Sequence, residues 1–332
     1  MPVSTGASTH ATFLFEDDGS GNVNFAGTPN DSTYKTFGDD VRIPDAEMDN
    51  DPVDLFDPGS REAAKRIAQT FSGTWGAEFV LSAPWFWKAV IADVSTSGSG
   101  PYDHTYSGDV PYPMQITLGN EDTGNDRILK GCVVSDCTLD VSDGGTVSVS
   151  LSGAYADEEE TSPGTGSIQS QVSTDFDPLM FADGTLAFAG SEYDLVQNLS
   201  LSISNNVDMV PELGSRTPVD YSPKVRRATI DWGKLVENDD QLLTAYGGSS
   251  PTSPQDRVDT DDEFASTITF DNGAASGAAD QNKQVINLSG VFPDSYSRDG
   301  TGDPSAEYIE NNSYTGRSLD SVVATNDTST AK

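Results

Sequence analysis

The longest apolar stretch of the chain, residues 73–93, changes its period halfway along. At first every second side chain is apolar, which predicts a half-buried strand whose inner face is Trp75, Ala77, Phe79 and Leu81. The run WFWKAVIA follows Ser82 and Pro84, and this combination predicts the start of a helix. Because the short helix is apolar nearly all round, we expect it to be covered on several sides and to anchor the core.

Alternation of apolar and polar residues recurs along the rest of the chain. It is clearest over 146–156, where Val147, Val149 and Leu151 alternate with serines. The same pattern predicts further strands at 113–119, 128–141, 185–190, 195–206, 225–236, 265–271 and 284–292. The predicted fold class is therefore mainly β, with short helices.

Two further helices and two long loops complete the predicted elements. Ser60 stands where it can cap a helix over 61–71. Asn238 and Gln241 have the spacing of a capping box for a helix over 239–248. Two stretches rich in turn-forming or acidic residues are predicted to be loops: 39–59 and 95–112.

Three segments recur in the same order, which indicates two tandem copies of one β-fold. Trp75-Gly76 is followed by Trp232-Gly233 at an offset of 157 (232 − 75). ITLG at 116 and ITFD at 268 differ by 152, and LKGCVV at 129 and LSGVFP at 288 differ by 159. The polar stretch 157–171 is the best boundary. We therefore predict a β-domain at 1–160, with an N-terminal arm and an acidic loop, and another at 161–332, with a C-terminal arm.

The composition is strongly acidic: 53 Asp and Glu against 18 Lys and Arg, a formal net charge of −35. Abundant aspartate with scarce lysine is typical of haloarchaea and their viruses; an ordinary acidic protein is the alternative. Sequence-specific binding of nucleic acid, which needs a basic surface, is not expected. The chain shows no export signal and no run of about 18 apolar residues, so no membrane partner is expected.

No catalytic or cofactor-binding residue is predicted, and we expect a protein that is not an enzyme. The two histidines, His10 and His104, stand outside any recognisable catalytic motif, and His104 is interpreted as a loop hydrogen-bond donor. Cys132 and Cys137 would lie about 16 Å apart in one extended strand. Two thiols are favoured, with a disulfide across a tight turn as the alternative.

Two acidic segments are weak candidates for cation binding, and structural cations from a high-salt medium are the one cofactor class we consider. Segment 16–22 has oxygen side chains at Asp18, Ser20 and Asn22 but lacks the glutamate of an EF-hand. Segment 259–264 has Asp259, Asp261 and Glu263 on one strand face. Four sequons, at Asn198, Asn287, Asn311 and Asn326, suggest an alternative function as a cell-surface or adhesive β-sandwich protein of a halophile.

Taken in order, the segments resemble the tail tube proteins of long-tailed, siphovirus-like viruses of bacteria and haloarchaea. The resemblance runs from about residue 70 to residue 320. It rests on GTWGAEFVL, WFWKAVIAD, YDHTYSGDVPYPMQITL, KGCVVSDCTLDVSDGGTVSVSLSGAYA, FADGTLAFAG, NLSLSISNNVDMVPELGSRTP and RRATIDWGKLVENDDQLLTAYGG. The chain departs from the family in its acidity and in the acidic loop at 39–59.

The resemblance implies a β-sandwich or barrel with short flanking helices. It also implies a structural virion protein whose copies form rings that stack into a hollow conduit for genome ejection. Its partners would be further copies of itself, tail proteins at the tube ends, and the tape-measure protein and DNA passing through the bore without sequence-specific binding. It would be assembled in the host cytoplasm and end in the virion tail. With a duplicated fold, three chains would form a pseudo-hexameric ring; six chains per ring are the alternative.

Overall fold

A computed structural model describes residues 9–30, 34–58, 61–120, 126–161, 176–247, 252–254, 263–299 and 308–329. We call residues 9–161 the first half and 176–329 the second half. The first half contains β1 Thr9–Phe15, β2 Asp39–Asp49, β3 Pro52–Phe56, β4 Ala63–Ala68, β5 Ser72–Val80, α1 Trp87–Ile91, β6 Val94–Gly98, β7 Tyr102–Tyr106, β8 Met114–Asn120, β9 Asp126–Ser142, β10 Ser148–Tyr155 and β11 Asp157–Thr161.

The second half contains β12 Gly184–Phe188, β13 Ser191–Glu192, β14 Val196–Ser204, β15 Val207–Val210, β16 Asp220–Pro223, β17 Arg227–Leu235, α2 Asp240–Tyr246, β18 Phe264–Asp271, β19 Lys283–Asp299 and β20 Ile309–Asn326. The mainly β fold class with short helices is confirmed. Three apolar residues alternate along β5 and are buried, each at most 3 % exposed: Trp75, Ala77 and Phe79. Leu81, just beyond the strand, is also buried.

The helix predicted over 61–71 is wrong, because most of this segment is strand β4, paired with β3. Val53 lies opposite Ile67, and Asp54 forms a two-pronged ion pair with Arg66 at 2.7 and 2.9 Å. These cross-strand contacts override the local helix propensity. Residue 60, the predicted cap, lies outside the described part of the chain.

Both predicted loops are also wrong. The stretch 39–59 contains β2 and β3, and the stretch 95–112 contains the β6–β7 hairpin. Aspartate and proline are depleted in strands, which is why the pattern indicated a loop. Pro52 is tolerated because it is the first residue of β3, where a missing N–H costs little.

The capping box predicted for α2 is wrong as well. Asp239, rather than Asn238, precedes the helix, although Asn238 Oδ1 accepts a hydrogen bond from the Asp240 N–H at 3.1 Å. Gln241 does not turn back to the backbone. It is buried, and its Oε1 accepts a hydrogen bond from the Tyr314 hydroxyl at 2.9 Å. A tertiary contact therefore replaces the local one.

The two halves have the same order of strands. In the first half β2, β5, β10 and β9 are hydrogen-bonded in sequence, and in the second half β14, β17, β20 and β19 are. On the other side, β1–β8–β9 corresponds to β12–β18–β19. A hairpin stands at the same place in each half, β3–β4 between β2 and β5 and β15–β16 between β14 and β17. The repeated topology supports tandem copies; the domain boundary at residue 160 stays a prediction.

Two glycines at β-bulges occupy corresponding positions in the two halves. Gly131 and Gly290 both stand where the register shifts between the long strand and its outer neighbour, and their φ angles are +65° and +60°. Their offset is 159 (290 − 131), equal to the offset of LKGCVV and LSGVFP. Only glycine adopts this backbone conformation without strain. The bulges let β9 and β19 each contribute to two sheets.

The core is densest around α1. Trp85, Phe86 and Trp87 are fully buried, and the Trp87 indole N–H donates to Gln284 Oε1 at 2.8 Å. Since Gln284 lies on β19, this bond ties the helix of the first half to the second half. The prediction of a short helix covered on several sides is confirmed.

His104 lies on β7 rather than in a loop, and its ring is fully buried between Thr96 and Asn326. Burial lowers its pKa below the ordinary 6.5, against weaker opposing hydrogen bonds. The folded state therefore binds this proton less well than the unfolded state, so the contribution of His104 to stability is complete above pH 6.5 and is lost as the pH falls.

We expect His104→Gln to flatten the loss of stability on acidification. Urea unfolding of both proteins at pH 5 and pH 7.5, at one salt concentration, measures the difference. The wild type should lose more, by about 1.4 kcal/mol for each unit by which the folded pKa is lowered. Equal losses would show that His104 titrates alike in both states.

Candidate functional site

The candidate site is the exposed face of the central sheet, which runs without a break through β2–β5–β10–β9–β14–β17–β20–β19. One face of this sheet packs on the core, and the other carries hydroxyl, amide and carboxylate side chains. We call the latter the polar face. It consists of Arg42, Asp45, Glu47, Asp49, Thr74, Glu78, Asp136, Thr138, Asp140, Ser148, Ser150, Ser152, Asn198, Ser200, Ser202, Ser204, Arg227, Thr229, Asp231, Asp294, Ser295, Ser297, Asp299, Asn311, Ser313 and Thr315.

The polar face arises from alternation within single strands. In β10 the buried Val149 and Leu151 alternate with exposed serines, and in β14 the buried Leu199, Leu201 and Ile203 alternate with Ser200 and Ser202. The charge is unevenly spread. Six carboxylates lie on the first half (Asp45, Glu47, Asp49, Glu78, Asp136 and Asp140), against Asp231, Asp294 and Asp299 on the second. The carboxylates outnumber the two arginines of the polar face, Arg42 and Arg227, so the net charge of this surface opposes the binding of an anionic polymer.

An internal seam joins the two halves within this sheet. β9 and β14 pair antiparallel over seven residues, from Asn198 opposite Ser142 to Ser204 opposite Asp136. The seam is apolar on its core side, where Leu201 lies opposite Leu139 and Ile203 opposite Cys137.

Asn205 and Arg226 reinforce the internal seam. Asn205 is 1 % exposed; its amide donates to the carbonyls of Val90 and Val134, both at 3.1 Å, and its Oδ1 accepts from Arg226 Nε at 2.8 Å. The Arg226 guanidinium also donates to Gly108 O at 2.6 Å. These donors from the second half satisfy carbonyls at the C-terminal end of α1, where a cation is favoured.

Two strand edges end the central sheet. Among the described residues, β2 pairs on one side with β5, and no strand lies along its other edge. Residues 292–299 of β19 pair with β20 on one side and, within the described ranges, with no strand on the other, since the pairing of β18 with β19 covers 283–291. The edge of β19 thus corresponds to the part of β9 that pairs with β14, and β2 corresponds to β14. Exposed edges are templates for pairing with another chain.

A row of charges crosses the sheet beside the β19 edge. Three charged residues lie opposite one another on neighbouring strands: Arg298, Glu310 and Lys234. The corresponding row in the first half is apolar and consists of Leu139, Val149 and Phe79. Glu310 is fully buried, 3.8 Å from Arg298 and 4.0 Å from Lys234, and burial raises its pKa. Arg298 is also held by Asp239 at 2.8 Å. This edge is therefore more polar than the internal seam.

The weak cation candidates do not come together. Asp18 is exposed, and its carboxylate accepts hydrogen bonds from Ser20 and Asn22, which lower its pKa. Glu263 pairs with Arg317 at 2.9 Å, while Asp259 and Asp261 lie outside the described residues. Within the described ranges no cluster of three or more metal-ligating side chains is found. Structural cations stay a hypothesis.

Both cysteines are free and fully buried on β9, and burial raises the pKa of each thiol. The favoured interpretation as two thiols is thus confirmed. Asn198, Asn287, Asn311 and Asn326 all lie on strands, as part of the sheet pairing. Among the described residues, no helix is long and apolar enough to span a membrane.

A continuous sheet with a polar face and with two edges that have no partner strand among the described residues is typical of a subunit that assembles by strand pairing. A family profile described as "Phage tail tube protein" matches residues 26–318, which is most of the chain. The chain therefore belongs to the phage tail tube protein family and is a structural tail tube protein, a component of the virion. A search of curated proteins found no match.

Proposed function

We propose that the chain is the major tail tube subunit and that three copies close into a ring through the two free edges. The observation that carries this proposal is the internal seam. Since β2 corresponds to β14 and β19 to β9, the pairing of β14 with β9 is a template for pairing β2 of one copy with residues 292–299 of the next. Such a head-to-tail contact generates a closed ring when the rotation closes.

The template gives an approximate register. β14 ends at Ser204 opposite Asp136, and both long strands are bulged near this point, at Ser152/Gly153 and at Pro293/Ser295. Aligning the bulges places Ser295 at the position of Asp136 and Asp49 at that of Ser204. Residues 45–49 of one copy would then lie opposite residues 295–299 of the next, with Glu47 beside Ser297.

The polar face would line the bore of such a ring. The other face of the sheet is covered by the helices and the outer strands, so closure leaves the polar face inward. Carboxylates and hydroxyls there repel or release phosphates, which suits a conduit that DNA crosses without binding. Stacked rings would carry the genome during ejection, with the tape-measure protein inside and other tail proteins at the ends. A haloarchaeal host and assembly in its cytoplasm remain predictions from the acidity and the resemblance.

Cysteine cross-linking tests the seam. With Glu47→Cys and Ser297→Cys in one chain, a short bis-maleimide should join copies into covalent dimers and trimers and stop at three. Buried native thiols with raised pKa values keep the background low.

Ser202→Cys with Thr138→Cys is the matched control, because these residues lie opposite each other in the internal seam. This pair should react within one chain and leave its mass on a denaturing gel unchanged. If the Glu47/Ser297 pair gives no covalent oligomer while the control pair reacts, the proposed seam is wrong. A ladder that extends to six would favour the hexamer.

A further inference from the structure

The β3–β4 hairpin has two chemically different faces. Val53, Leu55 and Ile67 lie on one face, and the Asp54–Arg66 ion pair lies on the other. Leu55 is 47 % exposed and Ile67 48 %, and Phe56 beside them is 60 % exposed. The hairpin pairs with no other strand among the described residues. An isolated two-stranded hairpin is at best marginally stable in water, so its apolar face is expected to be covered in the assembly.

The corresponding hairpin, β15–β16, is already covered. Val207, Met209 and Tyr221 share its apolar face and are half-buried, while Asp208 and Ser222 on the opposite face are exposed. The Tyr221 ring lies 5.4 Å from that of Phe25, and its hydroxyl donates to Pro111 O at 2.9 Å. This hairpin of the second half therefore packs across the internal seam onto the first half.

The loop beyond β15 continues this cover. Arg216 Nε donates to Gln69 O at 3.1 Å, its terminal nitrogen donates to Asn50 Oδ1 at 2.9 Å, and its carbonyl accepts from the Phe71 N–H at 2.8 Å. The tip of the β15–β16 hairpin is thus hydrogen-bonded to the base of the β3–β4 hairpin, across the internal seam. Both hairpins stand between corresponding strands, so they occupy the same rim of the sheet.

We propose that the β3–β4 hairpin is an arm that closes over the second half of the adjacent copy in the same ring, with Val53, Leu55 and Ile67 against it. This inference rests on the proposed ring. In that ring the β3–β4 hairpin lies beside the seam between copies, in the position that the β15–β16 hairpin has beside the internal seam. The occupant of its apolar face is a second copy of this chain, within one ring rather than in the ring stacked above.

The target surface follows from the same correspondence. Phe25, whose ring contacts that of Tyr221, packs directly over the bulge glycine Gly131. Its counterpart Gly290 lies beneath Arg317 and Glu263, at the outer end of β18. The arm should therefore contact the neighbouring copy beside Gly290.

Ring formation and ring stacking must be measured separately to test the arm. Leu55→Ser with Ile67→Ser removes the apolar face, and Asp54→Asn with Arg66→Gln is a matched pair on the opposite face. Sedimentation over a concentration series in high salt gives the midpoint between monomers and rings, and negative-stain microscopy gives tube length. Thermal unfolding of the monomers confirms that both variants fold.

The serine pair should raise the concentration midpoint for rings at least tenfold, while the control pair leaves it within twofold. A photo-reactive side chain at position 55 should also cross-link to the region beside Gly290 in isolated single rings. An unchanged midpoint with shortened tubes, or cross-links found in tubes and absent from single rings, would overturn the arm in favour of a stacking contact. An unchanged midpoint and unchanged tubes would overturn it too. Wild-type chains that form no ring would instead overturn the proposed function.

Discussion

Gly153→Ala is expected to give one of the two largest losses of stability in this chain. A Cβ at this position would lie 1.9 Å from the carbonyl oxygen of Val133 and 3.0 Å from the Trp75 indole nitrogen. Gly153 stands where the register between β10 and β9 shifts, so the backbones approach too closely for a side chain. The added methyl group can be accommodated only if β9 and β10 separate at this bulge of the central sheet.

The cost should reach the upper end of the range for overpacking, about 3 kcal/mol in the free energy of unfolding. Denaturant unfolding in high salt measures it. Gly76→Ala on the facing strand is the control, because the nearest atom to its added Cβ is 3.6 Å away, an ordinary contact. That variant should stay within about 0.5 kcal/mol of the wild type. Equal midpoints for the two variants would contradict the close approach at Gly153.

Asn205→Ala is the second substitution with a large expected effect. It removes two hydrogen bonds to buried carbonyls and the acceptor of Arg226 Nε. Buried groups left without partners cost about 1–3 kcal/mol, and the charged donor of Arg226 places this variant at the upper end. The internal seam should therefore open at lower denaturant, which hydrogen exchange in β9 and β14 would reveal.

Asn50→Ala is its counterpart between copies. Asn50 follows the last residue of β2 as Asn205 follows the last residue of β14. Within one chain its Oδ1 accepts only an exposed bond from Arg216, so monomer stability should change by less than about 0.5 kcal/mol. In a ring it would reach the last turn of α2 in the next copy. We expect about a tenfold weaker assembly, measured by sedimentation. A variant that assembles like the wild type would show that the two seams differ at this point.

Most strands of the central sheet could be predicted from the sequence. Because only one face of the sheet is buried, apolar residues recur at every second position along these strands. A half-buried strand is the structure that buries every second residue. It therefore explains why Val149 and Leu151, like Leu199 and Leu201, alternate with serines. The same alternation contains the polar face, since the residues between the buried ones must point the other way. The α1 helix was predictable for a related reason: Trp85, Phe86 and Trp87 need burial on every side.

The hairpins and free edges could not be predicted in this way. Most residues of β2, β3 and β4 are exposed, so no burial imposes alternation on them, and aspartate and proline indicated a loop. The repeat was visible as sequence offsets, but its extent was not, and the strand pairing places Trp75 level with Ile230, two residues from Trp232. The counterparts of β1 and β2 in the second half share strand order rather than residues, and order is a property of the folded sheet. No local pattern signals the charged row at Glu310, where three distant strands meet.

In the proposed ring, the sheets of three chains join into one barrel. The central sheet has eight strands in each chain, so three chains give 24 strands. With strands about 4.8 Å apart and tilted by about 40°, the barrel backbone would be roughly 50 Å across. Cryo-electron microscopy of assembled tubes in high salt measures both quantities in cross-section. We expect three copies of the full chain, six sandwich units around the ring, and β2 paired with β19 of the neighbouring copy. Six full chains around a barrel roughly twice as wide, or a different pair of strands at the contact between copies, would contradict it.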